Sequence, residues 1–342
     1  MNNEAPVLTG IRGRAGIITL NRPQAMNALT HEMVTLIADA LIQWRDHDEV
    51  DLIIIQGAGE RAFCAGGDVV SLYEDALAEG EAGARFWAEE YELNQLIADY
   101  PKPYIALMHG FVLGGGVGVS AHGSHRIVTD STRIGMPETG IGFIPDVGGS
   151  YLLAQAPDNL GIHMSLTGMH IGAADAIYTG FADFYIPEDK LEELVDKLVA
   201  TGDVAAIDQL STSAGEAFNG DVPAMAQAYH ADSVEEILAN LEKLDDTWAV
   251  KAAERIRRNS PTALKVSLES LQRAQGRTLA EALATEYRVS VNSQRSHDFI
   301  EGVRAQLVDK DRDPQWKPAQ LSDVTAQDVE AVFIPVRETS RI

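Results

Sequence analysis

Two acidic residues, Glu138 and Asp146, lie eight positions apart in a segment rich in glycine and proline, MPETGIGFIPDVGG over residues 136–149. Carboxyl groups can act as general acid and base, and a carboxylate can also attack a carbonyl carbon as a nucleophile. Taken alone, either residue would more often cap a turn or begin a helix. The pair therefore becomes informative only together with the segments around it.

Two glycine clusters lie upstream, CAGGD over residues 64–68 and HGFVLGGGVG over residues 109–118. Glycine lets the backbone turn sharply and approach a ligand, and backbone N–H groups can hold a developing oxyanion. The glycine spacing does not match the dinucleotide-binding fingerprint, because the third glycine is absent. Together with the carboxyl groups, the clusters indicate an enzyme that acts on an activated acyl group.

The elements that must position these segments alternate through about the first 190 residues. Apolar runs predict strands near residues 16–20, 51–56, 104–108 and, more weakly, 126–129, and Thr30 is predicted to cap a helix. The run at 51–56 is typical of a strand covered on both faces. This alternation predicts an α/β fold in which loops at the strand ends carry the site.

The pattern changes near residue 188, where amphipathic helices replace strands. Ser233 begins a capping box followed by apolar residues at 237, 238, 241, 244 and 248, and further helix starts are predicted at Ser260 and Thr278. A loose tail is expected to begin near residue 311. We therefore predict a core over residues 1–190, a helical region over 191–318 and a tail over 319–342.

The composition limits the classes of partner. Of 342 residues, 45% are apolar, which is typical of a globular protein, and the net charge of −24 disfavours nucleic acid or an anionic membrane. We expect no membrane span, no intramolecular disulfide with the single Cys64, and a cytoplasmic location. Cys64 is predicted to be a packed thiol, and the histidines lack metal-ligand spacing, so no metal site is expected.

Taken in order, these motifs resemble the crotonase (enoyl-CoA hydratase/isomerase) superfamily. The matching segments are residues 19–23 with 27–29, 63–68, 102–106 with Gly110 and 114–116, 136–138 and 166–168. The resemblance implies a spiral of ββα units followed by a mostly helical C-terminal region. It also implies an acyl-CoA substrate, an oxyanion hole from the N–H groups of Gly67 and Gly115, and no cofactor apart from the CoA of the substrate. Crotonase relatives often form trimers or hexamers, so a homo-oligomer is a further expectation.

The side chains near the glycines decide which reaction the resemblance implies. Hydratases of the superfamily carry a glutamate shortly after the triple glycine, where this chain has Gly118, and a second glutamate that Glu138 matches. The pair Glu138 and Asp146 resembles the 3-hydroxyisobutyryl-CoA hydrolase branch, as do segments 89–94, 122–123 and 298–316. This likeness implies hydrolysis of a branched 3-hydroxyacyl-CoA in valine breakdown. Glu138 would attack the thioester or activate water, Asp146 would assist, and Glu90 would contact the substrate.

Two alternatives remain open from the sequence. One is an enoyl-CoA hydratase or isomerase that uses Glu138 alone. The other is a non-catalytic acyl-CoA-binding protein that retains the fold.

Overall fold

The computed structural model describes residues 5–336. The chain forms two compact units. Unit 1 contains the described residues up to 68 together with 89–135 and 170–222, and unit 2 contains 69–88, 136–169 and the described residues from 223 onward. The predicted division into 1–190, 191–318 and 319–342 is a different partition of the chain, and it stays a prediction.

Unit 1 is built on two sheets. Its six-stranded sheet has the order β1-β2-β3-β5-β7-β9, with β1 antiparallel and the other strands parallel, and its three-stranded parallel sheet has the order β4-β6-β8. The strands are β1 (Val7–Arg12), β2 (Ala15–Leu20), β3 (Leu52–Gly57), β4 (Ala62–Cys64), β5 (Tyr104–Met108), β6 (Phe111–Leu113), β7 (His125–Val128), β8 (Arg133–Gly135) and β9 (Phe184–Tyr185).

Consecutive strand pairs share one pattern in unit 1. In β3–β4, β5–β6 and β7–β8, the first strand joins the large sheet and the second joins the small sheet. This pattern is the ββ part of the repeated ββα unit that the resemblance implies. The central strand β3 is buried over Leu52–Ile55, which confirms the prediction of a strand covered on both faces.

The helices that belong wholly to unit 1 lie around this sheet framework. The first of them, α1, begins after Thr30, whose side chain accepts a hydrogen bond from the N–H group of Met33. These helices are α1 (His31–Trp44), α4 (Gly115–Gly118), α7 (Ala173–Tyr178), α8 (Leu191–Thr201) and α9 (Ala205–Leu210). Helix α3 (Ala82–Ala98) has residues in both units. The apolar side of α8 packs with the large sheet in one buried cluster that includes Ile54, Ile105, Leu194 and Leu198.

Unit 2 is helical in its described residues, which confirms the predicted helical C-terminal region. Its helices are α2 (Val69–Leu77), α5 (Gly149–Gln155), α6 (Leu160–Thr167), α10 (Val222–Ala228, whose first residue belongs to unit 1), α11 (Val234–Leu241), α12 (Thr247–Arg258), α13 (Pro261–Ala274), α14 (Leu279–Ser293), α15 (His297–Val303) and α16 (Ala326–Ala331). Ser260 and Thr278 cap α13 and α14 as predicted.

Two local expectations in this region are wrong. The apolar pattern that begins at Ser233 does not form one long helix, because α11 ends at Leu241 and α12 begins at Thr247. Leu244 and Trp248 nevertheless pack against the same cluster, since a turn can return apolar residues to one core as well as a helix can. The segment after residue 311 is not wholly loose, because it contains α16 and buries Phe333 against Val266 and Val289.

Among residues 5–336, no helix combines the length and the apolar character that crossing a bilayer would require.

We predict that Asn27→Ala lowers the free energy of unfolding by about 2–4 kcal/mol. The buried Asn27 side chain donates to the carbonyl groups of Ala58, Ala62 and Phe63 and accepts from the N–H group of Arg22. Its loss leaves these backbone groups without their partner. Alanine is also strained at this position, where φ is +57°. Urea unfolding measures the change.

The matched control is Asn159→Ala. Asn159 also has a left-handed backbone (φ +59°), but its side chain donates one hydrogen bond, to Ala226 O. A loss of about 1 kcal/mol is expected there. Equal losses in the two variants would contradict the stabilising role assigned to the Asn27 side chain.

Candidate active site

Gly67 and Gly115 come together within unit 1. Strands β4 and β6 are parallel neighbours, so the segments that follow them emerge at the same edge of the small sheet. A Cβ atom placed on Gly115 would lie 3.3 Å from the backbone nitrogen of Gly67. Among residues 5–336, the N–H groups of these two glycines donate to no backbone acceptor. Two N–H groups without a backbone acceptor therefore lie close together, and their use as an oxyanion site stays a prediction.

The backbone of Leu29 holds the first glycine segment in place. Leu29 N donates to Gly66 O (2.8 Å), and Asp68 N donates to Leu29 O (2.8 Å). Gly66 has a φ of +113°, which a residue with a side chain rarely adopts. Asp68 also forms an ion pair with Arg22 (3.5 Å), so its carboxylate helps to shape this segment.

Glu90 lies beside the second glycine. Its side chain is buried on α3, and a Cβ atom on Gly115 would lie 2.8 Å from Glu90 Oε1. Glycine at position 115 therefore admits the carboxylate where any other residue would displace it. One helical turn further on, Asn94 is fully buried, and neither polar atom of its amide has a hydrogen-bond partner among the described residues. Glu90 and Asn94 together make this face of α3 polar.

Cys64 is a packed thiol, as predicted. It is fully buried, its Sγ atom lies 3.5 Å from Gly66 O, and burial raises the pKa of the thiol to about 12. The nearby negative charge of Glu90 raises this pKa further. A thiol with so high a pKa is a poor nucleophile at neutral pH.

Glu138 and Asp146 lie together within unit 2. Glu138 begins the 3-10 helix Glu138–Ile141. The preceding Pro137 lies against Gly168, where a Cβ atom would be 3.2 Å from Pro137 Cα. Asn259 donates from its amide both to Thr139 Oγ1 (3.0 Å) and to Leu166 O (2.9 Å). The segments 136–138 and 166–168, which are motifs of the sequence, are thus fastened to each other around Glu138.

Helix α15 explains why a segment far along the chain carries part of the resemblance. It packs directly on the 3-10 helix that holds Glu138. A Cβ atom on Gly302 would lie 2.4 Å from Ile141 O, and one on Gly142 would lie 2.2 Å from Asp298 O. Both glycines allow the two backbones to approach closely, so α15 packs against the 3-10 helix that carries Glu138.

Asp146 lies in a tight turn that leads into α5. Its carbonyl oxygen accepts a hydrogen bond from Gly149 N (2.6 Å). The next two residues, Val147 and Gly148, both have a left-handed backbone, with φ values of +55° and +78°. A β-branched residue in this region is a genuine outlier that costs about 1–3 kcal/mol. Strain of this kind is typical of functional sites, and here it lies directly beside the buried Asp146.

The two carboxyl groups influence each other electrostatically. Burial raises the pKa of Glu138 well above its usual range, and the charges of Asp146 and then Glu286 raise it further. Glu138 Oε2 accepts no hydrogen bond within residues 5–336, and the residue's own backbone N–H offsets only part of the lost hydration of the ionised form. Glu138 is therefore a carboxylate of unusually high basicity.

Glu286 was missed by the sequence reasoning. It lies on α14, is 1% exposed, and its pKa is raised to about 7, mainly by burial and in part by the charge of Asp146. A signal did exist in the sequence. Glu286 falls on the buried face of α14, at helical spacing from Leu279, Ala282, Leu283 and Val289, where a carboxylate is unexpected.

The structure thus gathers the five predicted site residues into two groups. Gly67, Gly115 and Glu90 lie together in unit 1, and Glu138 and Asp146 lie together in unit 2. Within residues 5–336, no group of three or more His, Cys, Asp and Glu side chains is arranged to hold a metal ion. The expectation that the reaction needs no metal stays a prediction.

Paired parallel strands that end in glycine segments, together with helix-borne carboxyl groups, define a protein of the crotonase fold. Residues 15–333 match the family model described as enoyl-CoA hydratase/isomerase. The chain belongs to the enoyl-CoA hydratase/isomerase family.

Curated relatives support the predicted branch of this family. A protein of Danio rerio named "3-hydroxyisobutyryl-CoA hydrolase, mitochondrial" is 41% identical over 338 residues, which cover 95% of this chain and 88% of the relative. The Homo sapiens protein of the same name is 39% identical and covers 96% of this chain and 88% of the relative. The predicted resemblance to the hydrolase branch is confirmed.

Solved structures with other names share the fold over nearly the whole chain. A carnitinyl-CoA dehydratase from Mycobacterium thermoresistibile is 48% identical with a TM-score of 0.95, and the match covers 98% of both chains. An enoyl-CoA hydratase from Rhodobacter sphaeroides is 41% identical with a TM-score of 0.90, and the match covers 97% of this chain and 98% of the other. The predicted fold class is therefore confirmed.

We predict that Glu138→Gln makes the protein more stable than the wild type, by a margin that grows between pH 5 and pH 8. The raised pKa of folded Glu138 means that the unfolded state loses this proton first, from about pH 4.3 upward, so wild-type stability falls as pH rises. Glutamine does not ionise. The margin is about 1.4 kcal/mol for each unit by which the pKa is raised.

Urea midpoints at several pH values measure this margin. Glu254→Gln, which changes an exposed glutamate on α12, is the control for removing one negative charge from an acidic chain. If the stability difference between Glu138→Gln and the wild type stays flat or shrinks with rising pH, ionisation of Glu138 does not destabilise the folded state.

Proposed function

We propose that this protein hydrolyses the thioester of 3-hydroxyisobutyryl-CoA to the free acid and CoA, as a step of valine breakdown. The observation that carries the proposal is the buried pair Glu138 and Asp146, in a chain with Gly118 where hydratases of the superfamily have a glutamate. The names of the curated relatives support the same reaction.

In this proposal the N–H groups of Gly67 and Gly115 hold the thioester oxygen as it becomes an oxyanion. A thioester is already activated, so stabilising this charge is a large part of the catalysis. Each such donor is typically worth about 10²–10³ in rate. The lack of a backbone acceptor for these N–H groups within residues 5–336 and the close approach of the two glycines support this role.

Glu138 supplies the carboxylate that reacts. It either attacks the thioester carbon, which gives a mixed anhydride that water then hydrolyses, or it takes a proton from the water that attacks. In both routes the carbon–sulfur bond breaks and the CoA thiolate leaves and gains a proton. The raised pKa of Glu138 supports either role, because a more basic carboxylate is a better proton acceptor and nucleophile.

Asp146 assists Glu138, either by contacting the 3-hydroxyl group of the substrate or by handling a proton. Its carboxylate is buried and lies near enough to raise the pKa of Glu138. Glu90 contacts the substrate beside Gly115, where only glycine leaves room for its carboxylate. These roles rest on the resemblance together with the position of each residue inside its own unit.

Hydration of an enoyl-CoA is the second candidate, because similar solved structures are named dehydratase and hydratase. Water addition to a double bond needs one group to take a proton and one to give it. Gly118, the last residue of α4, has no side chain for the second task. This absence favours hydrolysis, for which one strong base and an oxyanion site suffice.

Several expectations from the sequence stay predictions. They are the absence of a cofactor apart from the CoA of the substrate, a homo-oligomeric state and the absence of a nucleic-acid partner. The cytoplasmic location is not confirmed, since the names of the curated relatives include the word mitochondrial. The non-catalytic alternative is disfavoured by a strongly basic, buried Glu138, because such a group weakens the fold without aiding simple binding.

We predict that the wild-type protein releases thiol from 3-hydroxyisobutyryl-CoA and that Glu138→Gln reduces this rate by at least about 10²-fold. The glutamine is nearly the same size but can neither accept a proton nor attack. Thiol capture measures the rate, and equilibrium binding of the CoA ester to the variant measures affinity, which we expect to change little.

Hydration of crotonyl-CoA by the same preparations is the control reaction. Fast hydration with no thiol release would establish the second candidate. Binding of the CoA ester with neither reaction would establish the non-catalytic alternative, and near-normal hydrolysis by Glu138→Gln would remove Glu138 from the mechanism.

We predict that Asp146→Asn slows hydrolysis by about 10²-fold or more and does so most strongly for 3-hydroxyacyl substrates. An amide keeps the shape but cannot accept the hydroxyl proton as strongly as a carboxylate can. The measurement compares kcat/KM for 3-hydroxyisobutyryl-CoA and isobutyryl-CoA. An equal loss for both substrates would exclude the hydroxyl contact and leave proton transfer as the role of Asp146.

A further inference from the structure

Glu286 makes a set of buried hydrogen bonds that the proposed reaction leaves unused. Its Oε2 atom accepts a hydrogen bond from Gly148 N (2.7 Å), and its Oε1 atom accepts from Ser150 N (2.9 Å) and from Ser150 Oγ. These contacts join α14 to a segment well over a hundred positions earlier in the chain. All of them lie within unit 2.

The segment that Glu286 holds is the strained turn that carries Asp146. Val147 and Gly148 have consecutive left-handed backbones, and Gly149 N closes the turn on Asp146 O. Such a conformation persists only when its surroundings fix it. A carboxylate that binds the alternate N–H groups of residues 148 and 150 with its two oxygens fixes it directly.

We propose that Glu286 is a positioning residue, whose carboxylate holds the backbone of residues 148–150 so that the Asp146 carboxylate stays next to Glu138. The proposal rests on the proposed function, since it assigns Asp146 and Glu138 to the reaction. Glu286 itself is not given a contact with the substrate.

A purely structural role as the cap of α5 is the alternative. Gly148 occupies the N-cap of α5 and has no side chain to satisfy the first N–H groups, so Glu286 supplies this cap from another helix. The left-handed backbone of Gly148 disfavours a capping side chain at that position, so the cap comes from a buried carboxyl group. Placing that negative charge near Asp146 and Glu138 weakens the fold, which is typical of an arrangement kept for function.

The charged groups of the neighbouring elements do not neutralise Glu286. Helix α5 has no charged residue. On α13, Lys265 pairs with Glu235, and Arg273 pairs with Glu269 and with Glu330. The charge of Asp146 raises the pKa of Glu286, and the charges of Asp146 and Glu286 both raise the pKa of Glu138. The three carboxyl groups therefore form one electrostatic cluster.

The test compares Glu286→Gln, Glu286→Asp and the wild type. Glutamine cannot accept from both N–H groups, and it removes the charge. We expect kcat to fall at least 10-fold with KM within about threefold, and the acidic limb of the kcat/KM profile to move to lower pH, because Glu138 loses a like-charged neighbour. Aspartate keeps the charge but is one methylene shorter, so kcat falls while the acidic limb stays in place.

Glu281→Gln is the matched control. Glu281 lies on the same helix and completes the capping box with Thr278, so its loss weakens α14 without touching residues 148–150. Its kcat and pH profile are expected to equal those of the wild type. If Glu286→Gln does not fold, Ser150→Ala removes one contact of Glu286 and is expected to lower kcat about two- to fivefold.

The outcomes separate this proposal from the proposed function. All variants are assayed on the acyl-CoA reaction that the wild type performs, so a wild type that hydrates instead of hydrolysing overturns the function and leaves the Glu286 comparison intact. Folded Glu286→Gln with the kcat and acidic limb of the wild type overturns the positioning role. So does a kcat loss in Glu281→Gln equal to that in Glu286→Gln, since this would reflect only the stability of α14.

Discussion

Burial of several carboxyl groups close to one another is the constraint on which the described part of unit 2 depends. Glu138, Asp146 and Glu286 are all less than a tenth exposed, and the charges of Asp146 and Glu286 raise the pKa of Glu138. Burial alone favours the neutral forms, so backbone N–H groups must offset the loss of hydration where ionised carboxylates persist. Glu286 obtains such donors from the start of α5, whereas Glu138 Oε2 obtains none within residues 5–336. This contrast separates a carboxylate that holds structure from one that is available to react.

The sequence was most informative where chemistry and local geometry coincide. Apolar runs located β3 and β5, and the glycine clusters that follow them located Gly67 and Gly115. The short strands β4 and β6, three residues each, were not predicted, because so short a strand has no periodicity to detect. Yet it is the pairing of these two strands that brings the glycine segments to one edge.

The role of Glu286 and the ends of α11 could not be found in the same way. The role of Glu286 depends on a contact across more than a hundred positions of sequence, and a lone carboxylate on a helix usually faces solvent. The break after Leu241 is concealed because Leu244 and Trp248 return to the core that α11 and α12 share. Periodicity reports which residues are buried, but it does not report whether one helix or two helices bury them.

The two groups of site residues differ in how easily a single substitution can remove their functional groups. The N–H donors of Gly67 and Gly115 are fixed by the register of β4 and β6 and by the hydrogen bonds of Leu29, so a single side-chain change elsewhere leaves them in place. The carboxyl groups can be gained or lost by one substitution. Similar chains can therefore carry different names: a solved structure with a TM-score of 0.95 is named dehydratase, one with 0.90 is named hydratase, and a relative 41% identical is named hydrolase. In the proposed function the reaction type follows from which acidic side chains are present, and these are Glu138 and Asp146, with Gly118 unable to contribute.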